Sequence, residues 1–147
     1  MQETLLNSAI GQTVSCSKTV GESDIYLFAG ITGDFSPNHV NEAEMAGTQY
    51  GQRIAHGALL VGYMSRASTL ITAEVPELAR NYYPVSLGYD RIRFLAGVMI
   101  GDTVTVAYTV RTVDHLKMRT IAEVTLHKQT GQLCAVATHI MQWIAKT

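Results

Sequence analysis

Gly57-Ala58-Leu59-Leu60-Val61-Gly62-Tyr63-Met64-Ser65-Arg66-Ala67-Ser68-Thr69-Leu70-Ile71-Thr72-Ala73 is the stretch on which the reading of the fold turns. Leu59, Leu60, Tyr63, Met64, Leu70 and Ile71 recur at helical spacing, small residues fill much of the rest, and Arg66 is the only charge before Glu74. A helix apolar on nearly all sides is expected to be buried on nearly all sides. Pro76 marks its end.

Downstream of this helix the chain reads as strands: Tyr83 to Phe94, Thr103 to Val113, Lys117 to Lys128 and Leu133 to Ile144. In the second of these, Val104, Val106, Tyr108 and Val110 share one face, and Thr103, Thr105, Thr109 and Arg111 share the other. Asp114-His115 and Thr130-Gly131 are hairpin connections, which require antiparallel pairing. An antiparallel sheet with one apolar face needs a cover, and the helix from Gly57 is the one candidate of sufficient length. The expected class is α+β, with a curved antiparallel sheet wrapped around one long central helix. The sheet edge and the remaining apolar surface suggest dimerisation.

Upstream, Thr13 to Val20 alternates as one more strand. Glu22-Ser23-Asp24 opens a helix with an apolar stripe of Ile25, Leu27, Phe28 and Ile31, and Gly33 can close it in a left-handed conformation. Asp34 to Asn41 is a turn, because Pro37 disfavours helix at Ser36. Glu42 to Gln49 reads as a short helix and Tyr50 to Ala55 as a loop.

With 147 residues, 47% hydrophobic and 16% charged, the chain has the apolar content to fold and the length of a single domain spanning 1–147. Eleven Lys and Arg against twelve Asp and Glu, scattered, give no basic face for nucleic acid and no polybasic membrane segment. The longest apolar run, Ala55 to Met64, is too short to span a bilayer, and Met1 to Gln12 lacks the basic flank and apolar stretch of a signal peptide. Cys16 and Cys134 are far apart and outside any CxxC pattern. They are expected as reduced, packed thiols of a cytoplasmic protein, with one disulfide between them as the alternative.

Chemistry concentrates in Thr32-Gly33-Asp34-Phe35-Ser36-Pro37-Asn38-His39 and Ile54-Ala55-His56-Gly57. Asp34 and His39 bracket a proline turn that can aim a carboxylate and an imidazole at one water, a competent acid-base pair near neutral pH. The alternative is a capping Asp34 and a structural His39. His56-Gly57 opens the long helix, whose first amides lack internal partners and carry partial positive charge. A glycine there allows a thioester carbonyl to approach, or simply eases packing of helix on sheet.

Together these residues resemble the MaoC-like, (R)-specific enoyl-CoA hydratases of the hotdog superfamily. That family's Gly-Asp-x-Asn-Pro-x-His, followed by a His-Gly that begins the central helix, stands here as Gly33-Asp34-Phe35-Ser36-Pro37-Asn38-His39 and His56-Gly57-Ala58-Leu59. The likeness continues through Arg93-Phe94 and Val98-Met99-Ile100-Gly101-Asp102. Ser36 replaces the family asparagine and Gly97 a family proline, which bears on the turn geometry and the pocket mouth. The resemblance implies the hotdog fold and reversible addition of water to a trans-2-enoyl thioester, giving an (R)-3-hydroxyacyl thioester. It implies Asp34 as base, His39 orienting the water and delivering a proton, with the reverse division of labour left open, and the Gly57 amide on the thioester carbonyl. His56 and Ser65 are implied as substrate-binding, Ser65 because it follows Gly57 by two helical turns. Arg91 and Arg93 could meet phosphates of a coenzyme A, although solvated strand-face charges are commoner. No cofactor and no metal is implied. The implied partners are an acyl-CoA or acyl carrier protein thioester and a second copy in a homodimer or higher oligomer. The competing readings are a hotdog thioesterase, and a non-catalytic acyl-CoA-binding subunit.

Overall fold

A computed structural model describes residues 2–147; Met1, on which the reading of the amino-terminal stretch partly falls, lies outside them. In chain order the elements are α1 (Gln2–Asn7), β1 (Thr13–Thr19), α2 (Glu22–Thr32), α3 (Pro37–Val40), α4 (Glu42–Met45), α5 (Gly57–Leu70), a short 3-10 turn (Ile71–Ala73), α6 (Pro76–Asn81), β2 (Tyr82–Phe94), β3 (Thr103–Asp114), β4 (Arg119–Lys128) and β5 (Leu133–Ala145).

The two expected hairpins form β3-β4-β5, with Val106 opposite Leu126 and Val124 opposite Ala137. Their alternation works as a pleat requires: Val104, Val106, Tyr108 and Val110 are buried while Thr105 and Arg111 are exposed. β1 adds antiparallel to β3 and β2 antiparallel to β5, giving the order β1-β3-β4-β5-β2. β2 is thus an edge strand. Its register slips at Ser86/Gly88 and again at Asp90/Arg93, and bulges of this kind bend a strand and help curl a sheet.

α5 lies in that curl and contacts β1, β3 and β4. It buries Leu60, Met64, Ala67 and Ser68. The expectation of burial on nearly all sides is corrected by the structure: Ala58, Gly62, Ser65, Arg66 and Thr69 are exposed in the single chain. The sheet covers one side of a cylinder, and the small residues on the other side need no cover. Pro76 opens a further helix, α6, rather than only closing α5; proline suits a first helical position because the amide it lacks would have no partner there. α6 packs with α1, another helix that the periodicity does not mark.

Between β1 and α5 the chain forms an overhang that carries the signature. The Gly21 amide donates to Asp24 Oδ2 at 2.8 Å to start α2, and Gly33, at φ 80°, ends it as expected. The apolar stripe is narrower than expected. Ile25 and Ala29 are buried and Phe28 is half-buried, whereas Leu27 and Ile31 are exposed, being on the far face of the helix. The helix expected to run to Gln49 stops at Met45. The loop Tyr50 to Ala55 is tied down by a bridge from Ile54 to Met99 and by the Ala55 amide on the Val98 carbonyl at 2.7 Å.

Candidate active site

Asp34 and His39 face each other across the Ser36-Pro37 turn. Asp34 Oδ1 accepts from the Ser36 hydroxyl at 2.5 Å and the Ser36 amide at 3.2 Å. These bonds from Ser36 hold the Asp34 carboxyl below the usual carboxylate range, helped by the nearby imidazoles. Serine therefore performs the local bonding expected of an asparagine-type turn. The other oxygen, Oδ2, is left facing His39 Nε2 at 4.0 Å. That separation is too long for a hydrogen bond and fits one water between the two groups.

The tautomer of His39 follows from its partners. Nδ1 lies 2.7 Å from the Ile54 carbonyl oxygen, which can only accept, so Nδ1 carries the proton. Nε2 is then the acceptor nitrogen: its lone pair takes a long bond from the Asn38 side-chain amide at 3.2 Å, and Asp34 Oδ2 lies 4.0 Å away. The Ile54 amide returns a bond to the Asn38 carbonyl at 3.0 Å, so the loop and α3 clasp the ring from both sides. Arg53 fastens the overhang as a whole. Its guanidinium pairs with Glu42 of α4 at 2.9 Å and with Glu22 at the start of α2. Arg53, Asn38 and the Ile54 carbonyl had no signal in the sequence, because each acts across a turn or loop whose path no local pattern specifies.

A cleft of about 650 Å³ opens beside the ring, lined by His39, Tyr50, Gly57, Ala58, Phe94 and Leu95 among others. Its volume is within the usual range of small-molecule sites. The Gly57 and Ala58 amides, the first of α5, find no acceptor among the described residues. Gly57 also proves to be required by packing: a Cβ there would come within 2.7 Å of the Phe94 ring. The packing alternative for this glycine is met by Phe94, and the same position borders the cleft.

His39 and Gly57 therefore come together at the cleft, whereas Asp34 is not among its lining residues and stands next to His39 with a half-exposed carboxylate. The two implied substrate-binding residues lie outside the cleft lining. His56 is buried beneath the site, 1% exposed, and presents no surface to a substrate. Ser65 is exposed but does not line the cleft, because two turns along the helix carry it beyond the end of the cavity. Arg91 and Arg93 are exposed on β2, and Arg91 has a left-handed φ of 54° in the second bulge. The ligand-capable atoms of Asp34, His39 and His56 all lie within 4.8 Å of one another, a proximity absent from their sequence spacing. The two imidazoles, however, stack face to face at 3.7 Å, which sets their in-plane lone pairs side by side rather than toward one point. Cys16 and Cys134 are both free thiols.

A curled antiparallel sheet around one helix, with a carboxylate and an imidazole held ahead of that helix's amino end, defines a hotdog protein. The chain belongs to the MaoC-like domain family, whose model matches residues 6–132. It is 44% identical over 100 residues to the (R)-specific enoyl-CoA hydratase of Rhodospirillum rubrum, covering 68% of this chain and 64% of that protein. It is 36% identical over 97 residues to the 3-hydroxybutyryl-CoA dehydratase of Methylorubrum extorquens, covering 66% of this chain and 57% of the relative. The chain thus spans about three-fifths of the length of these curated relatives. Among solved structures, the (R)-hydratase of Aeromonas caviae superposes with a TM-score of 0.77 at 26% identity, covering 90% of this chain and 95% of the other.

Proposed function

We propose that this protein adds water reversibly to a trans-2-enoyl thioester to give an (R)-3-hydroxyacyl thioester. The observation that carries the proposal is the pairing of Asp34 Oδ2 with His39 Nε2 at 4.0 Å, two acceptors spaced for one water, beside a cleft that also holds unpartnered amides. Relatives named as hydratase and dehydratase support the same reaction class.

The thioester carbonyl accepts from the Gly57 amide, which draws electrons from the conjugated double bond and makes the β-carbon electrophilic. The water donates one hydrogen bond to Asp34 and one to His39. Its oxygen bonds to the β-carbon as the double-bond electrons move toward the carbonyl, forming an enolate held by the amide. The proton released from the water passes to the pair and is returned to the α-carbon, which restores the carbonyl. The sequence expectation gave the first proton to Asp34 and left the reverse assignment open. The hydrogen bonding supports His39 Nε2 as the acceptor, with Asp34, kept ionised by Ser36, stabilising the imidazolium that forms.

The chain 1–147 acts in this reading as one hotdog unit with an acyl-CoA or acyl carrier protein thioester as substrate. Edge strand β2 supports assembly with a second copy, because it exposes Tyr83, Val85 and Leu87 along an unpaired edge. No described helix is long and apolar enough to cross a membrane. The test is crotonyl-CoA with the purified protein: loss of enoyl absorbance without free thiol is expected. Release of thiol would indicate a thioesterase, and binding without either change a non-catalytic subunit.

A further inference from the structure

The geometry points to His56 as a positioning residue that couples the proton-transfer pair to the carbonyl-binding end of α5. This inference rests on the hydratase reading. His56 touches no cleft, yet it contacts each part of the site from below. Its Nε2 lies 3.0 Å from the Asp34 main-chain carbonyl, which can only accept, so Nε2 carries the proton and donates. Its ring stacks on His39, with centroids 3.7 Å apart and planes 24° apart. Phe28 of α2 backs it on the other side at 4.8 Å. Its own carbonyl accepts from the Leu59 and Leu60 amides, so it caps the first turn of α5 and sets where the Gly57 and Ala58 amides point.

Nothing else among the described residues joins the backbone of Asp34, the ring of His39 and the start of α5. Ile54 and Asn38 hold the His39 ring through its two nitrogens, in the ring plane, which leaves its tilt about the line joining them free. The stack with His56 supplies the missing constraint on that tilt. The reason residue 56 is an aromatic hydrogen-bond donor also becomes clear: a donor without a ring would release the tilt, and a ring without a donor would leave the Asp34 carbonyl without this partner. Its Nδ1 is buried without a partner, a cost expected of a residue retained for its geometry. Small misplacements of such a site reduce the chemical step far more than binding.

Two variants separate the parts. His56→Phe keeps the ring and loses the donor; His56→Gln keeps a donor of similar reach and loses the ring. Each is expected to lower kcat roughly 10- to 100-fold, as removal of an orienting partner does, with KM changed little and thermal unfolding still cooperative. In a His39→Ala background, His56→Gln is expected to cause no further loss of kcat, because the loss of its ring acts through the missing imidazole. If kcat per folded molecule is unchanged in both single variants, or if the losses simply multiply, the inference is overturned. Should either variant fail to fold, nitrogen-15 NMR of the unmodified protein decides: the Nε2–H form of His56 together with the Nδ1–H form of His39 is required, and the opposite assignment for either overturns it. Full hydratase activity in His39→Ala alone would instead remove the underlying reading.

Discussion

His139 sits in the layer between sheet and helix, fully buried, and gives a quantitative test of the fold. Its Nδ1 is 2.8 Å from the Tyr108 hydroxyl and its Nε2 is 2.8 Å from the Ser86 hydroxyl. Tyr108 is itself fully buried and its hydroxyl has no other partner among the described residues, so it donates to Nδ1, and Nε2–H donates to Ser86. Charging the ring would place a second proton against the tyrosine's own. Burial lowers His139 from 6.5 to about 4. Above 6.5 neither the folded nor the unfolded ring is protonated, and stability is full. As pH falls from 6.5 toward about 4 the unfolded chain takes up a proton that the folded one refuses. Stability therefore drops, by up to ~3 kcal/mol over that interval. Urea unfolding across the interval, on the parent protein and on His139→Gln, reads this directly. The variant is less stable at neutral pH but is expected to show a flatter pH dependence, the difference in slope summing to that amount. Parallel curves for the two proteins would refute the reasoning.

Asp34→Asn and His39→Gln are each expected to reduce crotonyl-CoA hydration by roughly two to four decades, the usual worth of a positioned acid or base, with thermal midpoints close to the parent's. Ser36→Ala removes the bond from the Ser36 hydroxyl that helps hold the Asp34 carboxyl low. Activity that needs ionised Asp34 fails as pH falls through its folded pKa, so the acid limb of the pH–rate profile should move to higher pH in this variant; an unmoved limb would show that Asp34 ionisation does not set it. If β2 is the seam of the proposed assembly, sedimentation velocity should find the parent as a dimer and Leu87→Lys, which places a charge on that exposed strand, as a monomer; the same species for both would contradict it.

Periodicity was a good guide wherever one face is buried along a whole element. Val104, Val106, Tyr108 and Val110 marked β3 because a period of two survives only if a core lies on one side. The amino end of α5 and the left-handed stop at Gly33 were legible because helix ends impose local chemistry. Burial by neighbours was not legible. Leu27 and Ile31 look like core and are exposed, since helical spacing does not say which of two apolar faces meets the sheet. At the site, Asp34, His39 and Gly57 were readable as a motif, whereas the depth of His56 and the outward turn of Ser65 depend on the path of the overhang. That path is set by Arg53 pairing with Glu22 and Glu42, 31 and 11 residues away in sequence, and no local signal carries such distances.

The central claim, that Asp34 and His39 deliver a water to the β-carbon of an enoyl thioester, is tested most directly by turnover of crotonyl-CoA in water enriched with heavy oxygen. Mass spectrometry is expected to find the label in the hydroxyl of an intact (R)-3-hydroxybutyryl-CoA, with no label incorporated by Asp34→Asn or His39→Gln over the same time. Label in a released carboxylate, with free coenzyme A, would contradict it.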